Sequence, residues 1–195
     1  ELSLSGDVLR VIPLLGMSNP EGVAVLEGGN VAVTDERKNS LTIFHVDPQT
    51  RELSTEKLSS FDLGERGKKN KGIEGIAWDP RQHRLLLGQE RDPLTLFSLA
   101  SDGSASLSGA LQALPSEQLM MRNVSALSID PRTGHMLVLS ADSNMLLELD
   151  ERGEQVSFMT LLGGFNGLKK RIPRAEGVAM GGDAKAQALA AAAQA

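Results

Sequence analysis

The sequence predicts an all-β protein of the β-propeller class, in which four-stranded antiparallel sheets, called blades, surround a central channel. Three observations lead to this prediction. A six-residue phrase recurs four times at nearly constant spacing, each copy is followed by short apolar runs, and tight turns separate those runs. The runs alternate with period two or are continuously apolar, whereas a helical repeat would show a period of about 3.6 residues.

The recurring phrase begins at Pro20 and reads Pro-Glu-Gly-Val-Ala-Val. Its related copies occupy residues 73–78, 124–129 and 175–180. The second positions of the four copies are separated by 53, 51 and 51 residues, and they are Glu21, Glu74, Ser125 and Glu176. This even spacing predicts that each copy forms the first strand of one structural repeat.

Three further strands are predicted after each first strand. Turns such as Asp79-Pro80 and Asp130-Pro131 lead into the second strands. Second strands are predicted at residues 31–34, 85–87 and 136–139. Third strands are predicted at residues 41–46, 94–99 and 145–149, and a polar fourth strand is predicted at residues such as 154–159. These units predict three full blades, at residues 17–66, 67–118 and 119–168.

The predicted blades do not coincide with the ends of the chain. Residues 1–16 match the second half of a preceding blade, and residues 169–180 match the start of a following one. Residues 181–195 form an Ala- and Gly-rich tail that is not recognisable as a blade. About three and a half blades cannot close a ring, so we expect a fragment of a larger propeller or a chain whose end is not the natural sequence. The alternative is a ring completed by a partner chain.

The composition narrows the classes of function. The chain has 195 residues, of which 41% are hydrophobic and 23% charged, as in ordinary folded domains. Its net charge of -5 argues against nucleic acid as a partner, because nucleic-acid binding needs a basic surface. The absence of cysteine from the sequence excludes disulfides, thiolate zinc sites and a cysteine nucleophile.

Acidic residues recur at matched places in the predicted blades. The second strand of a blade runs antiparallel to the first, so the start of the first strand and the end of the second lie on the same face of the propeller. The acids at these two places are predicted to converge on one channel mouth, and they are Glu21, Glu36, Glu74, Glu90, Asp142 and Glu176. Calcium takes six to eight oxygen ligands in irregular geometry and would relieve the repulsion between such acids. The six residues are therefore candidate ligands for Ca²⁺.

A second interpretation of the first-strand glutamates remains open. A glutamate that precedes a glycine at a strand start can simply accept hydrogen bonds from backbone amides of the neighbouring blade. The glycines that follow these acids are Gly22, Gly75 and Gly177, and they are predicted to permit close backbone approach near the channel axis.

Basic residues occur near the same predicted mouth. Lys71, Arg122 and Arg174 precede copies of the phrase and are candidate anion-binding residues. The alternative is that they are solvated loop charges that offset the acidic ring. Arg37 and Arg91 each follow a candidate acid and are predicted to orient it. The single tryptophan and the five phenylalanines are predicted to pack between blades.

Three segments together resemble the SdiA-regulated family of bacterial β-propellers. They read NPEGVAVLEGGNVAVTDER from Asn19, KGIEGIAWDPRQHRLLLGQE from Lys71, and NVSALSIDPRTGHMLVLSADSNMLLELDERG from Asn123. The resemblance extends over about residues 1–180. It implies a five-bladed propeller, often behind a membrane anchor or export signal, and hence a periplasmic or cell-envelope location.

The resemblance also implies a bound calcium ion and no established activity. The matching positions imply as calcium ligands Glu21, Glu36, Glu74, Glu90 and Glu176. Ser125 departs from the pattern because it stands where the other copies have an acid, and the pattern is lost after Met180.

These observations predict a calcium-binding β-propeller that serves as a binding module for a small-molecule or protein ligand at its acidic mouth. The alternative is a metal-dependent hydrolase of a phosphoester or lactone, in which a cation activates water and polarises the substrate. A third interpretation is a structural calcium ion that only holds the blades together.

Overall fold

The computed structural model describes residues 1–3, 5–64, 72–104, 106–107, 109–180 and 189–191. These residues form sixteen short strands and one 3-10 turn at Glu27–Gly29. In this described part of the chain, no helix is long and apolar enough to cross a bilayer.

The strands are short, and most have three to seven residues. The first eight are β1 (Leu14–Leu15), β2 (Pro20–Val25), β3 (Asn30–Asp35), β4 (Ser40–His45), β5 (Leu53–Ser54), β6 (Ser60–Asp62), β7 (Ile73–Asp79) and β8 (Arg84–Gln89). The remaining eight are β9 (Thr95–Ala100), β10 (Gln112–Leu114), β11 (Ala126–Ile129), β12 (Met136–Ser140), β13 (Met145–Leu149), β14 (Gln155–Thr160), β15 (Gly177–Ala179) and β16 (Leu189–Ala191).

Twelve of these strands form three four-stranded antiparallel sheets. Sheet 1 has the order β2-β3-β4-β6, sheet 2 the order β7-β8-β9-β10, and sheet 3 the order β11-β12-β13-β14. Strands β15 and β16 form an antiparallel pair, here called sheet 4, and β1 pairs with β5 in parallel. The predicted all-β architecture of four-stranded antiparallel blades is confirmed.

The first strand of each sheet lies on the inside of the molecule. Strand β2 contacts β7, β7 contacts β11, and β11 contacts β15, so the four sheets follow one another around a common axis. A Cβ atom added at Gly22 would lie 2.6 Å from the carbonyl oxygen of Glu74, and one at Gly75 would lie 2.8 Å from Cγ of Leu127. The predicted close approach therefore occurs at these two glycines. At Gly177 nothing among the described residues lies within 4 Å of such an atom, so the predicted approach is absent there.

The hydrophobic core lies between successive sheets. On β8, Leu85 and Leu87 pack into the cluster between sheets 1 and 2, whereas Leu86 packs into the cluster between sheets 2 and 3. All three leucines are fully buried because both faces of sheet 2 are covered. This explains why the strand reads as a continuous apolar run rather than as an alternating one.

The aromatic residues follow the predicted packing only in part. Phe44 and Phe97 are buried, and Trp78 and Phe61 pack partly buried against the cluster between sheets 1 and 2. The prediction is wrong for Phe158 and Phe165, which are 63% and 57% exposed. Phe158 lies on β14, the outermost strand of sheet 3.

Candidate cation site at the channel mouth

The register of the sheets brings the predicted acids to one face of the molecule. In each sheet the start of the first strand pairs with the end of the second, and the pairs at this end are Pro20 with Asp35, Ile73 with Gln89, and Ala126 with Leu139. Glu21 and Glu74 therefore lie at the same face as Glu36 and Glu90, which directly follow their second strands.

A polar cavity of about 550 Å³ opens at this face. Five of the six candidate calcium ligands line it, and they are Glu21, Glu74, Glu90, Asp142 and Glu176. They come from all four sheets or from the segments next to them. The structure thus brings together acids as far apart in the sequence as Glu21 and Glu176.

Glu36 does not line the cavity. Its carboxylate instead accepts hydrogen bonds from two neighbouring groups. Nδ2 of Asn19 donates a hydrogen bond to Oε2 of Glu36 at 2.8 Å, and the backbone N–H of Gly72 donates to Oε1 at 3.2 Å. Gly72 leads into sheet 2, so Glu36 links two sheets by accepting from a backbone amide. This is the role that the second interpretation gave to the first-strand glutamates.

The electrostatic environment is most unusual at Glu74. Burial, followed by the charges of Glu21, Glu176 and Glu36, raises the pKa of Glu74 to about 8, although Arg91 acts in the opposite direction. The pKa of Glu21 is raised as well, by burial and by the charge of Glu36, although a hydrogen bond from Asn19 opposes the shift. Among the described residues, the repulsion between the acids of the mouth is therefore greatest at Glu74.

Arg91 neutralises the other part of the mouth. Its Nη2 forms an ion pair with Oε1 of Glu90, and its Nη1 donates to Oδ2 of Asp142 at 3.1 Å. The arginine therefore does more than orient the acid that it follows, because it also joins sheet 2 to the loop after β12 of sheet 3. Arg37, its counterpart in sheet 1, is exposed.

Sheet 3 replaces the missing first-strand glutamate with a buried hydrogen-bonded network. Nδ2 of Asn123 donates to Oγ of Ser125 at 3.0 Å, and Oδ1 of Asn123 accepts from Oγ of Ser140 at 2.8 Å and from the backbone N–H of Asp142 at 3.0 Å. Sequence reasoning missed Asn123. A signal was present, because Asn19 and Asn123 both stand two residues before the second position of their phrase.

The candidate anion-binding residues differ in their placement. Arg174 lines the cavity with an 89% exposed side chain, and its Nε lies 3.6 Å from Oε1 of Glu176. Arg122 is exposed and does not line the cavity, although its backbone N–H donates to Oγ of Ser143. Lys71 lies outside the described residues.

The chemistry of the donors at the mouth fits a hard cation. Carboxylates with raised pKa values lie beside the amide of Asn123 and the hydroxyl of Ser125, and oxygen donors of these kinds suit calcium. Within the described part of the chain, no three His, Asp or Glu side chains are grouped tightly enough to hold a metal ion. Calcium binding would therefore require the long glutamate side chains to move closer together.

Comparison with known families identifies the chain. The SdiA-regulated family matches residues 1–186. The chain belongs to the SdiA-regulated family. The predicted resemblance is therefore confirmed.

Solved structures similar to this chain support the same fold. A chain of the nidogen/laminin complex superposes with a TM-score of 0.57 and 16% identity, covering 86% of this chain and 54% of that one. The PQQ-bound aldose sugar dehydrogenase of Streptomyces coelicolor gives a TM-score of 0.50 and 19% identity, covering 75% and 48%. At these identities the likeness concerns the fold alone, and it confirms the predicted β-propeller. The present chain spans about half the length of these two chains.

A short match to a curated protein covers little of this chain. The FMN-dependent NADH:quinone oxidoreductase of Acidovorax ebreus (strain TPSY) is 75% identical over 36 residues. These residues are 18% of this chain and 17% of that protein, so the match does not describe the propeller as a whole.

Proposed function

We propose that this propeller binds calcium at its acidic mouth and serves as a binding module for a ligand that docks there. One observation supports the proposal above the others: acids from separate sheets converge on the partly buried Glu74, and its burial together with their charges raises its pKa to about 8. Keeping these acids ionised at neutral pH is unfavourable without a counter-charge, and a divalent cation would supply one. The residues that would hold the ion are Glu21, Glu74 and Glu176.

The proposed ligand would be a small molecule or a protein segment with oxygen atoms to offer. An ion bound at the edge of an open cavity retains coordination positions that water or a ligand oxygen fills. Arg174, at the rim, adds an exposed positive charge that would attract an anionic ligand. The periplasmic or cell-envelope location implied by the family stays a prediction.

Calcium titration followed by thermal melting tests the proposal. At a calcium concentration 100 times Kd, binding would stabilise the folded state by about 2.7 kcal/mol. For a domain of this size that corresponds to a rise in Tm of roughly 5–11 °C. The Glu74→Gln variant should lose most of this rise.

Glu154→Gln is the matched control for this experiment, because it makes the same change of charge in the turn between β13 and β14, at the opposite end of the strands from the mouth. It should keep the full rise in Tm. A wild-type chain whose Tm responds to neither calcium nor chelator would contradict the proposal.

A metal-dependent hydrolase is the second candidate, and Glu74 is the observation that favours it. A carboxyl group with a pKa near 8 can exchange a proton close to neutral pH, as a general acid or base must. Turnover of phosphoesters or lactones in the presence of calcium, lost in Glu74→Gln, would support this candidate. If neither protein turned over any member of such a panel, the binding module would stand.

A further inference from the structure

Arg91 lies between two sheets of the propeller and is fixed there by backbone contacts. It follows β8, and the adjacent carbonyl oxygen of Glu90 accepts a hydrogen bond from the backbone N–H of Val124 at 3.0 Å. Val124 leads into sheet 3, so this bond holds the end of β8 against the next sheet. The guanidinium of Arg91 consequently reaches a carboxylate on each side, that of Glu90 and that of Asp142.

Because the carboxylate of Glu90 is buried, it needs the positive charge of Arg91 beside it. Glu90 is only 5% exposed, and a buried carboxylate without a counter-charge strongly destabilises a folded protein. The planar guanidinium suits this task because it stays charged and offers several N–H donors in a fixed geometry. Arg91 therefore places a covalently attached positive charge between two carboxylates.

The remaining acids of the mouth have a weaker internal partner. Arg174 approaches Glu176 to 3.6 Å, but its side chain is 89% exposed. An ion pair in that environment contributes little, because water screens both charges. Among the residues that the structure describes, Glu21, Glu74 and Glu176 are thus the acids of the mouth that have no buried cationic partner.

We infer that Arg91 divides the acidic mouth into two parts and limits it to one exogenous divalent cation. Arg91 forms ion pairs with Glu90 and Asp142, whereas Glu21, Glu74 and Glu176 remain available to calcium. Arg91 is in this view a specificity-determining residue that sets the number of bound ions and the identity of their ligands. The inference rests on the proposed calcium binding and specifies which of the acids bind the ion.

Calorimetric titration of the full chain with CaCl₂ tests the division directly. Asp142→Asn should leave Kd for calcium within about threefold of the wild type, because Asp142 acts only through a screened charge. Glu21→Gln makes the same change of charge at a proposed ligand and should weaken binding on the order of tenfold or more, because calcium affinity follows the number of charged ligands. Asp142 is exposed, so folding of its variant is expected.

Replacement of Arg91 provides a second test of the inference. Arg91→Gln frees two carboxylates and should raise the amount of bound calcium from one to two equivalents per chain. Arg37→Gln is the matched control, because Arg37 follows the corresponding acid of sheet 1 and is exposed, and it should keep one equivalent. If Arg91→Gln does not fold, the comparison of calcium affinity between Asp142→Asn and Glu21→Gln alone tests the division of the acids.

The possible failures are distinguishable. A wild-type chain that binds no calcium contradicts the proposed function itself. A wild-type chain that binds calcium, with Asp142→Asn weakened as much as Glu21→Gln, contradicts only the role of Arg91. A folded Arg91→Gln variant that still binds one equivalent with unchanged Kd also overturns that role.

Discussion

At the scale of single residues, Glu74 links the chemistry of the mouth to the stability of the fold. Its pKa is about 8 in the folded state and near 4.5 in the unfolded chain. Between these two values the folded state holds a proton that the unfolded state has released, so stability falls as pH rises. Below pH 4.5 the group makes no difference, and above pH 8 the full unfavourable contribution is present.

We therefore expect the calcium-free wild type to lose more stability than Glu74→Gln between pH 5 and pH 8.5. With allowance for screening of a partly exposed side chain, the difference should be about 1–2 kcal/mol. For a domain of this size it corresponds to roughly 2–8 °C in Tm. Thermal melts of both proteins in chelator at the two pH values measure it. Parallel loss of Tm in the two proteins would show that Glu74 is not the titrating group.

The single residues of the site differ in how far the sequence could predict them. Glu21 and Glu74 were predictable because antiparallel pairing puts the start of one strand beside the end of the next. The bridge from Arg91 to Asp142 was not, because it depends on the distance between two sheets and on the direction of a long side chain. The network around Asn123 lies within sheet 3, and sequence reasoning missed it although the spacing of Asn123 to Ser125 repeats that of Asn19 to Glu21.

At the scale of elements, the spacing of the inner strands depends on two glycines. A Cβ atom at Gly22 would lie 2.6 Å from a backbone oxygen of β7, 2.8 Å from Cγ2 of Ile76 and 3.0 Å from Oγ1 of Thr34. Backbone atoms of a paired strand cannot move aside as a flexible side chain can. The equivalent position on β15, Gly177, has open space around it among the described residues.

Gly22→Ala should therefore destabilise the protein by about 1–3 kcal/mol, as overpacking of a filled interior does. Gly177→Ala, which makes the same substitution at the matched position of the phrase, should be neutral or stabilising by up to about 1 kcal/mol. Urea unfolding of the two variants beside the wild type gives both values. Equal destabilisation by the two substitutions would mean that loss of glycine itself, rather than the contact with β7, is responsible.

The sequence predicted the inner elements better than the outer ones. Strand β8 could be recognised because burial on both faces gives it an unbroken apolar run. The outer strand β14 keeps apolar side chains such as Phe158 on an exposed surface, so the assumption that aromatic residues pack inside fails there. The parallel pairing of β1 with β5 left no periodic signal, because each strand has only two residues.

At the scale of the whole molecule, the sheets form a series in which each one packs mainly against its neighbours. The three hydrophobic clusters lie between sheets 1 and 2, sheets 2 and 3, and sheets 3 and 4. In such an array stability is approximately a sum of the repeats and of the interfaces between neighbours, and separate parts can open independently. Of the proposed calcium ligands, Glu21 and Glu74 lie in sheets 1 and 2, and Glu176 directly precedes sheet 4. A bound ion would therefore connect sheets that otherwise contact one another only through their neighbours.

We expect calcium to slow amide hydrogen exchange in β2, β7 and β15 together, because opening any one of these strands would then break the ion site. Exchange in the outer strands β10 and β14 should change much less, because they lie far from the mouth in their sheets. In Glu176→Gln the calcium effect should disappear from β15 and persist in β2 and β7. Exchange measured by mass spectrometry with calcium and with chelator gives this pattern directly. Slowing confined to a single sheet would mean that any bound ion is held locally and does not connect the blades.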